Sequence, residues 1–97
     1  MIYILFETFT GKICIGKADV EDEKKIESGT IISDSLVIQV VPTKEGSIEL
    51  KFFPYFFPFS NEMEVFSFDA IYKWKIAPMK LANQYIHVTT GIITDII

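Results

Sequence analysis

Lys51-Phe52-Phe53-Pro54-Tyr55-Phe56-Phe57-Pro58-Phe59 is the densest run in the chain, since every residue from Phe52 to Phe59 is aromatic or proline. Closely spaced prolines exclude a helix interior, and aromatic side chains favour the pleated backbone. Pro54 and Pro58 share a parity, so they remove N–H donors from one strand edge. The other edge is left free to pair through Phe53, Tyr55 and Phe57. The stretch reads as an edge strand, or one bent at the prolines, with large apolar groups on both faces. A single small core covers one face, which assigns the other face to a second copy of the chain. Phe52, Phe53, Tyr55, Phe56, Phe57 and Phe59 are the expected contacts of that assembly.

Moving outward, the run continues a cleanly alternating strand in which Ile48, Leu50 and Phe52 point inward and Ser47, Glu49 and Lys51 outward. Thr43-Lys44-Glu45-Gly46 is the hairpin loop before it. The strand from Thr30 to Val41 ends at Pro42, with Leu36, Ile38 and Val40 on one face. Ser33-Asp34-Ser35 interrupts that strand as a bulge or polar turn. Nearer the start, Ile2–Phe9 is a first strand and Thr10-Gly11 a tight two-residue turn. A second strand runs from Lys12 to about Val20, and Gly16 marks a bend or close backbone approach within it. The acidic run from Asp19 to Gly29 reads as a solvated loop or one helical turn. Its Asp19, Glu21, Asp22 and Glu23 lack the glycine-centred calcium-loop pattern, and no His or Cys stands there for zinc.

Beyond the aromatic run, Ser60-Asn61-Glu62 is a turn and Met63–Phe68 resumes as strand. Asp69-Ala70 is a bend, and Ile71–Ile76 a last short strand. In it Tyr72, Trp74 and Ile76 share one face, with Lys73 and Lys75 on the other. Pro78 restarts the chain. Met79–Val88 reads as a short helix with Leu81, Tyr85 and Val88 in one stripe and Gly91 as a stop, although Tyr85–Thr90 also has strong β propensity. The apolar tail Ile92–Ile97 adds a strand or docks on a neighbour.

The whole is one mostly β domain over residues 1–97, a barrel to residue 76 followed by a C-terminal extension. Its 97 residues suffice for one core. With 49% apolar and 23% charged residues, the composition is that of a folded chain and not a disordered one. No apolar run approaches the roughly 18–20 residues of a membrane span, and Met1–Glu7 reads as strand rather than signal peptide. Cys14 is the lone cysteine, a small buried hydrophobe by expectation, and suits a reducing, cytoplasmic setting. The net charge is −4 and all nine basic residues are lysine, which argues against a strongly basic nucleic-acid domain. Abundant Ile, Lys and Phe without Arg is what an A/T-rich genome gives, as in many viruses and some marine bacteria.

Catalytic constellations are poorly supported. His87 is the sole histidine and has no Ser or Cys motif beside it. No phosphate-binding glycine loop, nucleophile elbow or metal-ligand pair occurs, and no cofactor is implied. The strongest functional patch is Tyr72-Lys73-Trp74-Lys75 with Lys80 nearby and Lys12 and Lys17 flanking the bend of the second strand. Rings interleaved with lysines suit single-stranded nucleic acid, where stacking contributes about 1–3 kcal/mol per base. The plainer alternative is an amphipathic strand with Trp74 in the core and two solvated lysines.

Gly11-Lys12-Ile13-Cys14-Ile15-Gly16, between the first two of five strands spanning about Ile2 to Ile76, resembles the Sm-like family, which includes bacterial Hfq. The resemblance implies a small, strongly bent five-stranded antiparallel barrel whose fourth and fifth strands pair with the next subunit in a ring. The family's uridine-pocket residues have no counterpart in Ser33-Asp34-Ser35 or Phe68-Asp69-Ala70. The glycines therefore carry over as architecture, and no residue carries over as an RNA ligand. Two functions are expected in order. The first is a non-catalytic homo-oligomeric ring binding RNA or single-stranded DNA, in which a few lysines per subunit gain avidity by repetition. The second is a viral structural or assembly protein that docks a partner through its aromatic surface.

Overall fold

The computed structural model describes residues 1–90. They form strands β1 (Ile2–Thr8), β2 (Ile13–Ala18), β3 (Ile31–Pro42), β4 (Ile48–Phe53), β5 (Glu64–Ser67) and β6 (Ile71–Ile76), then helix α1 (Met79–Thr90). The strands make one antiparallel sheet in the order β4-β3-β2-β1-β6, with β5 pairing the first half of β3. The chain is thus mostly β and antiparallel, as the alternation predicts. The sheet is open, because no ladder joins β6 to β4 or β5 among the described residues. Expected contributions of Gly91 and the tail Ile92–Ile97 lie outside the described residues.

Strand four is where the sequence expectation fails. β4 stops at Phe53, and the chain then turns back on itself, with Phe57 N–H donating to the Pro54 carbonyl at 3.0 Å and Phe59 N–H to that of Phe56 at 2.8 Å. The prolines end pairing altogether instead of sparing one edge. The strand read as continuing to Phe59 ends at Phe53 and the aromatic residues beyond it form a loop, while β5 falls on the strand expected at Met63–Phe68. The first turn also differs. Thr8 N–H donates to the Lys12 carbonyl and Gly11 N–H to that of Thr8, both at 2.9 Å. The loop is therefore the three residues Phe9-Thr10-Gly11, closed by a glycine at φ +89°. Lys44-Glu45-Gly46 closes the β3–β4 hairpin in the same way, with Gly46 at φ +85°.

Each sheet face carries its own core. On one, Ile4, Phe6, Cys14, Ala18, Ile32 and Ile71 are buried beneath Tyr55, Phe66 and Phe68. On the other, Ile15 and Leu36 pack with Tyr3, Leu5, Ile38 and Phe52 against Ala82 and Tyr85 of α1. Helix α1 thus covers Phe52 from within the same chain, while Phe56, Phe57 and Phe59 of the aromatic run stay exposed. Its buried stripe is Ala82 and Tyr85, flanked by Leu81 and Ile86, and Val88 is exposed. The two strand faces expected to point inward also fray: Val40 and Ile48, at the far end of the β3–β4 hairpin, run past the helix into solvent.

Asp34 shows how the bend is fixed. It sits at φ +50° in a break of the β3 ladders, where the interruption Ser33-Asp34-Ser35 was expected. Its carbonyl accepts the Tyr85 hydroxyl at 2.6 Å, and its carboxylate pairs with Lys17 at 2.9 Å. Burial, reinforced by the nearby Asp34 carboxylate, pushes the Tyr85 phenol well above its ordinary pKa.

Candidate nucleic-acid interface

β6 lies at one end of the sheet, its inner edge paired with β1 in a register that sets Trp74 opposite Phe6 and Lys75 opposite Leu5. Directly opposed residues share a face. Trp74 therefore lies on the Phe6 side, where it meets Phe68 edge-on at 5.1 Å between ring centres. It remains 42% exposed, so it is not the core residue of the plainer reading. Tyr72 is also exposed and leans against Phe9 at 6.0 Å. Ile76 is exposed as well, so the outward side of this strand is aromatic and aliphatic rather than covered.

Lys73 and Lys75 stand on the opposite face, the one α1 covers farther along the sheet. They flank a shallow hollow of about 230 Å³ whose floor is Leu5 and Ile13, with Glu7 on its rim. Among the described residues neither ammonium has a carboxylate within 4.0 Å. Glu7 is the ladder partner of Lys73 without forming an ion pair with it. The Lys73 ammonium is 5.5 Å from the Tyr72 ring centre. The ladder breaks between Glu7 and Thr8, so Ile71 lies opposite Thr8 on the Phe6 side and strict alternation holds only from Lys73 to Ile76, with Trp74 and Ile76 on one face and Lys73 and Lys75 on the other.

The remaining candidates do not join this strand. Lys17 is held by Asp34 and is a structural clamp. Lys80 stands at the start of α1, beside a cleft of about 880 Å³ between the helix and β4 that also includes His87. Lys12 lies 5.2 Å over the Tyr55 ring, at a recess of about 290 Å³ shared with Val37, Phe53 and Phe57. That recess has no signal in the sequence taken alone, because it exists only once the aromatic loop folds back on the first hairpin, with Thr10 Oγ1 3.3 Å from the Tyr55 hydroxyl. Of the expected assembly contacts, Phe52 and Tyr55 pack into this chain's own cores and Phe53 stacks on Phe57 at 5.5 Å. Phe56 and Phe57 are half exposed and Phe59 is 93% exposed.

Among the described residues no group of three His, Cys, Asp or Glu side chains is placed to hold an ion. Burial pushes the Cys14 thiol up from 9.0 to about 11, which leaves it protonated and inert at neutral pH. No described helix is long and apolar enough to cross a membrane. Comparison with protein-family models, curated proteins and solved structures returned no match to the chain.

Proposed function

We propose that this protein is a non-catalytic binding factor that works as an assembly of its own copies and holds RNA or single-stranded DNA along β6. The observation that carries this reading is the composition of that edge strand: Tyr72 and Trp74 are half exposed, and among the described residues Lys73 and Lys75 have no carboxylate partner. A single strand lying along the edge sets phosphates beside Lys73 and Lys75. Its flexible backbone lets bases fold over onto Trp74 and Tyr72. Stacking of this kind tolerates any base, because every base has a π-face. A net acidic chain can carry such a site because charges more than about 8–10 Å away are screened at physiological salt.

The fold reading that goes with this function is Sm-like. β4 and β5 both pair with β3 and count as halves of one interrupted fourth strand, which makes β6 the fifth. The strands to which the family resemblance gives subunit contacts are then the two at the ends of the sheet order. A closed barrel of this type would join β6 to β4 or β5, and among the described residues no ladder does so.

Titration of a labelled oligonucleotide tests the binding reading. The expected result is binding that weakens steeply as salt rises. Lys73→Glu with Lys75→Glu should lower affinity by ~tenfold or more at low salt and flatten the log–log salt slope by about 0.7 per lysine. Lys17→Gln should leave affinity unchanged, since that charge is already paired. Equal affinity for the double variant and the parent would contradict the assignment to β6.

A second reading, docking of a larger structural partner, draws on the exposure of Phe56, Phe57 and Phe59. Recovery of a protein partner that is lost on Phe59→Ser, with no affinity for oligonucleotides, would favour it over the first.

A further inference from the structure

β4 ends the sheet opposite β6, and no strand lies beside its outer edge among the described residues. The phase of its inner ladder is set by Thr43 N–H, which donates to the Ser47 carbonyl at 2.9 Å. Bonded and non-bonded pairs alternate from there, so Glu49, Lys51 and Phe53 exchange backbone bonds with Val41, Gln39 and Val37 of β3. Ile48, Leu50 and Phe52 consequently turn their N–H and C=O groups to the free edge.

The side chains along this edge are complementary to themselves. When two antiparallel copies of β4 meet at Leu50, Leu50 faces Leu50, Ile48 faces Phe52, and Glu49 faces Lys51 on either side of the axis. Each of these matches falls where it should. The Leu50 and Ile48/Phe52 pairs occupy positions whose free backbone groups point at one another. Glu49 and Lys51 occupy the non-bonded positions, where the opposed Cα atoms approach to about 4.5 Å and the side chains are closest. Opposite charges so placed are favourable and like charges unfavourable. Within one chain the Glu49 Oε1 and Lys51 Nζ atoms are 3.5 Å apart, so the four groups alternate in sign around the axis. Ile48, 66% exposed in the single chain, gains an apolar neighbour. An axis perpendicular to the sheet keeps α1 on the same side in both copies.

We infer that the protein forms a twofold dimer by antiparallel pairing of β4 with β4 of a second copy. This rests on the reading of the chain as self-associating, and not on its binding nucleic acid. The other edge pairings are poorer. β6 against itself about Trp74 sets Lys73 against Lys75. β4 against β6, with both sheets keeping α1 on one side, sets Ile48, Leu50 and Phe52 against the two lysines. The twofold pairing therefore stands in place of the ring that the family resemblance implies, and it leaves β6 open.

The test is the solution mass of the full chain at micromolar concentration, with variants of the edge. The wild-type protein should have twice the chain mass. Glu49→Lys and Lys51→Glu should each raise the dissociation constant by at least about tenfold, because each sets like charges opposite at two places. Mixing the two single variants should restore dimerisation as a heterodimer, because each chain keeps its own like-charged pair and only the contacts across the axis become complementary. Leu50→Pro should yield a folded monomer, since the N–H it removes is not part of the β3 ladder. A wild-type monomer, a larger ring, or single charge reversals that leave the dimer unaffected would overturn the inference. Oligonucleotide binding by β6 is read separately and can fail or succeed independently.

Discussion

Tyr85→Ala is expected to lower the unfolding free energy by about 3–5 kcal/mol, the usual cost of emptying a buried aromatic site. Tyr85 is 1% exposed and is the side chain through which α1 is fastened to the sheet. Its ring lies edge-on to Tyr3 at 5.8 Å between centres, and its hydroxyl reaches the Asp34 carbonyl. A helix of 12 residues is marginal without tertiary contacts. The variant should therefore lose helical circular dichroism along with stability, while the ladder of β1, β2 and β3 persists. Tyr85→Phe keeps the ring and should cost about 0.5–1.5 kcal/mol for the hydrogen bond alone. Urea unfolding of the three proteins checks the series. An Ala variant as stable as the parent would mean that α1 is not docked as described.

Gly16→Val should be comparably damaging for a different reason. A Cβ added at Gly16 would lie 2.5 Å from Ile32 Cγ2, 2.5 Å from Ser35 Oγ and 3.0 Å from the Ser33 carbonyl oxygen. Ile32 and Ser35 are fully buried, and the Ser33 oxygen is backbone. Room can be made only by moving β3 away from β2 at the ladder break between Ile15 and Lys17. Overpacking of this kind typically costs 1–3 kcal/mol, and the two further methyl groups of valine place it at or above about 3 kcal/mol. Gly16→Ala should fall lower in the range. A thermal melt of both variants tests this, and a Val variant melting with the parent would contradict so close an approach of the two strands.

Much of this was legible in the sequence. The glycine-closed hairpins, the interruption at Ser33–Ser35 and the close approach at Gly16 all follow from local chemistry that tertiary structure did not override, whereas the alternation of Ile71–Ile76 is broken at Tyr72. The fate of Phe52–Phe59 was not legible. Parity shows which donors the prolines remove, but whether an adjacent strand persists depends on what lies beside it. Here the first hairpin and Phe66 offered Tyr55 a better place than a continued ladder. The helix was ambiguous because Tyr85–Thr90 is rich in β-prone residues, and burial of Tyr85 against β3 decides the matter. For the candidate interface, spacing revealed that rings and lysines alternate along β6. Only the register with β1 revealed which faces Lys73, Trp74 and Lys75 occupy, and only the three-dimensional structure showed Asp34 neutralising Lys17.

Trp74 is the only tryptophan in the chain, so its fluorescence reports on β6 and on no other part of the molecule. Adding a single-stranded oligonucleotide at low salt should quench that emission to saturation, and raising the salt should restore it. Emission that stays unchanged through saturating oligonucleotide would mean that β6 is not where nucleic acid is held.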